Sequence, residues 1–257
     1  EGQLGNESTA NIGDGSGDSV ASSSAISLGP GRSARAIATG TSHTCALLDN
    51  LTVKCWGSGL YGRTGYGDSD SRGDDSGEMG DALLAVDLGT GRTATMIAVG
   101  SHHSCALLDD ATVKCWGRSN FGQLGYSNTT TRGDGAGEMG NALPAVSFAA
   151  GRTATAIAAG ANHTCALLDN AQVVCWGHNY YGQLGQGTTS NIGSSTGSTV
   201  AATSTINLGT GRTAVAISAG DLHTCAVLDN ATVKCWGASA TGRLGTGDTN
   251  DLGDDPG

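Results

Sequence analysis

His43-Thr44-Cys45-Ala46-Leu47-Leu48-Asp49-Asn50 decides the fold, because the same eight residues return at 163–170. Close variants stand at 103–110 (His-Ser-Cys-Ala-Leu-Leu-Asp-Asp) and at 223–230 (His-Thr-Cys-Ala-Val-Leu-Asp-Asn), so the copies are 60 residues apart. A second cysteine keeps the same spacing (Cys55, Cys115, Cys175, Cys235), as does a Trp-Gly pair beginning at Trp56, Trp116, Trp176 and Trp236. A Gly-x-x-Gly element follows at Gly62–Gly65, Gly122–Gly125, Gly182–Gly185 and Gly242–Gly245, with a further copy at Gly2–Gly5. No insertion or deletion breaks the register. A fixed period of this length marks a repeat architecture, whose units bury their apolar faces by stacking on one another.

The chain therefore reads as one repeat array over 1–257. A partial unit covers 1–30, full units cover 31–90, 91–150 and 151–210, and a partial unit covers 211–257. Residues 1–17 share the phase of 241–257. That phase predicts either a fragment cut for convenience, or a window on a longer array or a subunit whose ends complete a neighbour. Between the fixed motifs the segments alternate in character. Asp68–Asp81 and Gly133–Asn141 are acidic and contain Gly-Glu-Met-Gly, whereas Asn6–Ser27 and Thr188–Thr205 are rich in serine and threonine.

Within one unit the pattern is β throughout. Thr93–Val99 is short, β-branched and apolar, and predicts a strand. Ser104–Leu108 and Thr112–Trp116 flank the polar Asp109-Asp110-Ala111 and predict a hairpin. A fourth strand is expected at Leu143–Phe148. Glycine-rich turns separate these runs and no helical periodicity is present. Three or four short strands per repeat predict an all-β array of propeller-type blades.

The hairpin bears on the cysteines. With Asp110 at the turn centre, Cys105 and Cys115 face each other, within reach of a disulfide. The same register pairs Cys45 with Cys55, Cys165 with Cys175 and Cys225 with Cys235. Each bridge would close a loop of about 11 residues, stabilising by roughly 2.5–3 kcal/mol in the chain-entropy model. Zinc is a weaker reading, because its paired ligands usually stand two to four residues apart. Reduced, buried cysteines are the remaining alternative. The disulfide reading places the chain in an oxidising compartment, outside the cytosol or at a cell surface.

The composition narrows the partners. Of 257 residues 43 are glycine, and acidic residues outnumber basic ones 23 to 13, for a net charge of -10. Such a charge repels phosphate backbones and anionic membranes, so neither nucleic acid nor membrane insertion is expected. No apolar run approaches the 18 residues of a spanning helix.

Ala158-Ala159-Gly160-Ala161-Asn162-His163-Thr164-Cys165-Ala166-Leu167, then Val174-Cys175-Trp176-Gly177 and Gly182-Gln183-Leu184-Gly185, resembles the repeat of the regulator-of-chromosome-condensation family. The resemblance covers essentially the whole chain. It implies β-propeller blades, usually seven of four strands, and its cysteine-bearing form is similar to one in secreted and surface proteins of bacteria. Seven such units need about 420 residues, so closure of a ring within this chain is left open. The family tends to place glycine after the hairpin Asp-Asn, where a positive φ is wanted. Leu51, Ala111, Ala171 and Ala231 stand there instead, which leaves the turn type open. Nuclear members act on a small GTPase and contact chromatin, neither of which suits an acidic, disulfide-bearing chain. Secreted relatives include a protein inhibitor of β-lactamases.

Candidate chemistry is sparse. His43, His103, His163 and His223 belong to different units, so a structural hydrogen bond is expected of each rather than one catalytic site. His102 and His178 do not recur. No nucleophile elbow or paired-carboxylate signature is present, and no enzymatic activity is expected. Asp68, Asp70, Asp74 and Asp75 resemble a calcium loop, but Glu78 stands one place early for its last ligand, so solvated turns are the better reading and no cofactor is assigned. Glu78 and Glu138, with Met79 and Met139, could instead dock on an adjacent unit. Arg72-Gly73-Asp74 and Arg132-Gly133-Asp134 match an adhesive tripeptide that is common by chance. Asn6, Asn50, Asn128, Asn162 and Asn230 begin sequons that would accept glycans in a eukaryotic secretory protein.

These readings converge on a non-catalytic extracellular or cell-surface scaffold, such as a filament, stalk or adhesin component. Its partners are expected to be proteins, including copies of itself. The alternative is a secreted propeller that binds or inhibits a protein partner.

Overall fold

A computed structural model describes residues 1–15 and 19–255. Residues 16–18 of the first serine-rich stretch and 256–257 of the last turn lie outside them. Among the described residues, the four units each form a separate three-stranded antiparallel sheet. The first holds β1 (Ala34–Thr39), β2 (His43–Leu48) and β3 (Val53–Gly57). The second holds β4 (Ala94–Val99), β5 (His103–Leu108) and β6 (Val113–Gly117). The third holds β7 (Ala154–Ala159), β8 (His163–Leu168) and β9 (Val173–Gly177). The fourth holds β10 (Ala214–Ala219), β11 (His223–Leu228) and β12 (Val233–Gly237). Successive first strands adjoin. Their C-terminal ends line one cavity of ≈ 310 Å³, so the units stand around a common axis.

The hairpin register is the one the turn centre predicts. Cys105 lies opposite Cys115, and the other three pairs repeat it. All four pairs are disulfide-bonded, with Cα atoms 4.0–4.1 Å apart.

Each hairpin turn keeps its positive φ without glycine. Leu51, Ala111, Ala171 and Ala231 have φ of 61–65°, a conformation that costs a side-chain-bearing residue about 1–2 kcal/mol. Two interactions hold it. Asn50 Oδ1 accepts from the backbone N–H and hydroxyl of Thr52, and Asp110 does the same for Thr112. The carbonyl of the strained residue also accepts an N–H from the next unit: Leu51 from Ala94 (2.9 Å), Ala111 from Ala154 (3.4 Å), Ala171 from Ala214 (2.9 Å).

The expected fourth strand at Leu143–Phe148 does not form. That segment gives one ladder bond, from Val146 N to Val113 O at 2.8 Å, and no strand. A tyrosine takes the place of the missing partner. The Tyr126 hydroxyl accepts from Cys115 N–H and donates to Cys115 C=O, both at 2.8 Å. Tyr66 does the same at Cys55 and also reaches Leu84 O at 3.0 Å. A side chain that satisfies the outward N–H and C=O leaves the next backbone segment nothing to pair with.

Units are joined by one repeated junction. The carbonyl of the second residue in each Gly-x-x-Gly element accepts two protons from the following unit. Arg63 O takes the Ser104 hydroxyl (2.9 Å) and the Trp116 indole N–H (3.1 Å). Gln123 O takes Thr164 and Trp176, and Gln183 O takes Thr224 and Trp236. Gln3 O takes Thr44 and Trp56, so the N-terminal partial unit seats on unit one in the same way. A histidine then reaches across. His43 Nε2 lies 2.8 Å from Ser104 Oγ, His103 Nε2 2.9 Å from Thr164 Oγ1, and His163 Nε2 2.9 Å from Thr224 Oγ1. Each hydroxyl spends its proton on the carbonyl, so it must accept from the histidine. The ring is thereby fixed as the Nε2–H tautomer.

The tryptophans pack as expected between units. Trp116 is fully buried among Val86 and Leu88 of the preceding unit, and Trp176 lies against Leu124 and Val146. Gly65 and Gly125 admit these indoles, since a Cβ at either would meet the ring nitrogen.

Trp116→Ala should cost about 3–5 kcal/mol, the usual range for a fully buried aromatic, and lower the denaturant midpoint of unfolding. Ala111→Gly relieves the left-handed strain and should raise stability by about 0.5–1 kcal/mol in the same titration. The junction histidines set a pH dependence. Burial first of all lowers His43, His103 and His163 from 6.5 to about 3. A protonated ring would bury a second N–H at Nδ1, which has no partner. A depressed native pKa means that stability is fully present above pH 6.5 and is lost as pH falls from there towards 3. Tm at pH 5 should lie below Tm at pH 7.5, with about three protons taken up on unfolding. His163→Gln, which retains a donor but does not titrate, should flatten the profile.

Candidate functional site

The sequence-level candidates are not brought together. Of the four recurrent histidines, His43, His103 and His163 are each engaged at their own junction, whereas His223 is half-buried on the outer side of unit four. The acidic loop is occupied with itself. Asp68 forms a two-point ion pair with Arg72 at 2.8 and 2.9 Å. That contact holds its carboxyl below the usual range. Glu78 Oε2 accepts the backbone N–H groups of Gly73, Asp74 and Asp75. Glu138 caps Gly133 and Gly135 in the next unit. Met79 beside Glu78 clusters with Trp56 of its own unit and with Ile26 and Leu28 of the preceding partial unit, where Glu7 Oε1 accepts its N–H at 3.1 Å. The tripeptides Arg72-Gly73-Asp74 and Arg132-Gly133-Asp134 sit in these capped turns, with Gly73 against Gly2 and Gly133 against Gly62 of the preceding units. Among the described residues no three His, Cys, Asp or Glu side chains converge as a metal site.

The sequons differ in access. Asn50 and Asn230 are exposed at hairpin tips. Asn6, Asn128 and Asn162 are half-buried, and Asn128 bonds Tyr126 O and Thr130 N.

A different surface emerges at one end of the axis, around the mouth of the ≈ 310 Å³ cavity lined by Thr41, Ser101, Ala161 and Asp221. The residues following each Trp-Gly pair gather here. Arg63 reaches from this rim towards Ser101 O, at 3.5 Å. The Arg118 guanidinium lies over the Tyr61 ring at 5.0 Å, and His102 meets the edge of the same ring at 6.0 Å. Phe121 packs on His178 at 4.5 Å, His178 stacks parallel to Tyr180 at 6.5 Å, and Tyr180 meets Tyr181 edge-on at 4.9 Å. Aromatic and cationic side chains thus form two clusters, one between units one and two and one between units two and three. Tyr180 is 67 % exposed. Tyr61 holds φ of 66°, a strained backbone for a bulky residue. His102 and His178 are both held below their ordinary pKa, chiefly by burial.

Sequence reasoning missed this rim because it attended to the invariant columns of the repeat. The signal was present in variable ones. Position 61 and its equivalents read Tyr61, Phe121, Tyr181 and Thr241, and position 118 and its equivalents read Ser58, Arg118, His178 and Ala238.

The repeat of the Regulator of chromosome condensation family matches residues 34–63, 96–123, 154–183 and 214–243 by one model and 111–167 by another. The chain is 30% identical over 217 residues to the human E3 ubiquitin-protein ligase HERC2, covering 84% of this chain and 4% of that protein. It is 26% identical over 215 residues to the Ultraviolet-B receptor UVR8 of Arabidopsis thaliana, covering 84% and 43%. It therefore spans less than half the length of either relative. In fold it is similar to human WBSCR16 (TM-score 0.67, 21% identity, 85% of this chain and 51% of that one). It is also similar to yeast RCC1, Prp20, solved bound to Kap60 (TM-score 0.63, 20% identity, 87% and 48%). The period, the junction it builds and these matches agree: the chain belongs to the RCC1 repeat family.

Proposed function

We propose that this protein is a non-catalytic, protein-binding repeat scaffold of an extracellular or cell-surface setting, and that copies of it associate end to end. The outer face of unit four fits a further repeat of the same kind, and a second copy of the chain would supply one. Val53, Val113 and Val173 are each 0 % exposed beneath the following unit, whereas the equivalent Val233 is 60 % exposed. A cavity of ≈ 440 Å³ lies there, lined by Val233, Trp236 and Leu244 among others. Gly242 and Gly245 face open space, where Gly62 and Gly65 are covered by unit two. The face also carries His223 and the carbonyls of Ala231 and Arg243, the groups that elsewhere bond the next unit. At the opposite end Ile37 is 64 % exposed, against 9 % for Ile97 and 6 % for Ile157. The two faces are complementary by construction, since every internal junction is made from the same pair.

Four internal disulfides support the oxidising setting. In a eukaryotic secretory route, Asn50 and Asn230 at the exposed tips would be the accessible glycan acceptors. The second reading, a secreted binder of another protein, is favoured by the aromatic rim and by relatives such as yeast RCC1, solved with Kap60.

Sedimentation velocity over a range of protein concentration tests the leading reading. Association that rises with concentration and is abolished by Val233→Asp is the expected result, with fibres in electron microscopy. A species that stays monomeric at all concentrations, or association untouched by Val233→Asp, would remove the end-to-end assignment.

A further inference from the structure

We infer that the rim formed by Tyr61, Arg118, Phe121, His178 and Tyr180 is a docking surface for an acidic protein segment that also carries apolar side chains. This inference goes beyond end-to-end association, because the rim faces along the axis, away from the unit-four outer face around Val233.

Three observations carry it. The first is composition. Positions 58–63, 118–123 and 178–183 hold aromatics, arginine, asparagine and glutamine, with neither lysine nor any carboxylate, and Asp221 of unit four is the carboxylate at the cavity mouth. Enrichment in Tyr, Phe and Arg with depletion of Lys, Asp and Glu is the signature of the central part of protein interfaces.

The second is charge. Arg32, Arg72, Arg92, Arg132, Arg152 and Arg212 are each ion-paired with an aspartate or glutamate. Arg118, like Arg35, Arg63 and Arg243, has no carboxylate within ion-pair distance among the described residues. Its neighbours are the Tyr61 ring and the Asn120 amide, whose oxygen in the flipped orientation lies 3.0 Å from Nε and 2.7 Å from Nη2. In a chain of net charge -10, an arginine held on an aromatic ring and left without a counter-charge is placed for a carboxylate from elsewhere.

The third is rigidity. Tyr61 is fixed in a left-handed backbone, Arg63 is tied to Leu60 O at 2.8 Å, and Gly62 is wedged against Gly133 of the next unit. The rings are therefore held in place before a partner arrives, which lowers the ordering cost of binding.

The same facts decide against a polyanionic glycan. Over positions 58–63, 118–123 and 178–183, Arg118 is the one arginine that is not buried, since Arg63 is covered. A single guanidinium among rings suits one carboxylate flanked by apolar groups rather than a chain of repeated negative charges.

The test is selection of a phage-displayed random 12-residue peptide library on the intact protein, followed by fluorescence anisotropy with the selected synthetic peptides. The expected peptides carry Asp or Glu next to aromatic or aliphatic residues. Their affinity should fall at least ~10-fold with Arg118→Glu and with Tyr180→Ala, a loss of about 1.4 kcal/mol or more. It should weaken as salt is raised and stay unchanged with Val233→Asp, which separates this site from end-to-end association. Tyr180 is exposed, so Tyr180→Ala should leave thermal unfolding unchanged and report binding alone. Failure to enrich any peptide, peptides without acidic residues, or affinities indifferent to both rim variants would overturn the proposal. Rim-dependent binding to an array of glycans would replace the protein partner with a carbohydrate. Loss of self-association in the rim variants would assign the surface to a second copy.

Discussion

A backbone carbonyl has two lone pairs, and the structure depends on both being used. At Arg63, Gln123 and Gln183 the oxygen takes one proton from a hydroxyl and one from an indole of the next unit. The acceptor is offered by a Gly-x-x-Gly turn whose second glycine leaves room for that indole. The hydroxyl, having given its proton away, fixes the tautomer of a buried histidine behind it. Removing any member leaves a buried polar group unmatched, and such a group costs more than its hydrogen bond contributed. The invariance of histidine, tryptophan and glycine through four units thus has one common cause.

Much of this was legible in the sequence. The cysteine register followed from the turn centre alone, since facing residues in a hairpin have a constant number sum. The tryptophans were legible as the largest apolar side chains in a glycine-rich unit. The fourth strand failed for a reason that propensity cannot show. Leu143–Phe148 has the composition of a strand, but the Tyr126 hydroxyl already occupies the edge it would pair with. The hairpin turns were unreadable for a similar reason. Leu51, Ala111 and Ala171 accept a left-handed backbone because their carbonyls are needed by the following unit, a tertiary demand that overrides local preference.

The rim shows what a repeat hides. Aligning units draws attention to what stays the same, and what stays the same here builds the junction. Recognition chemistry lies in the columns that vary, where three units place rings and the second sets Arg118 over the first of them. Junction and rim grow from one turn, since Gly62 and Gly65 seat the next unit while Tyr61 between the strands and that seat turns towards the axis.

The disulfides have a mechanical consequence. Each closes within its own hairpin and none crosses a junction. Under tension the units can therefore part or unravel one by one, because only non-covalent contacts and the peptide chain itself link them. The bridge still withholds the ten-residue span between its cysteines from each unravelled unit. At roughly 3.5 Å per residue that is on the order of 30 Å of contour length per unit. Reducing conditions would release that slack, so the extensibility of the array is coupled to the redox state of its surroundings.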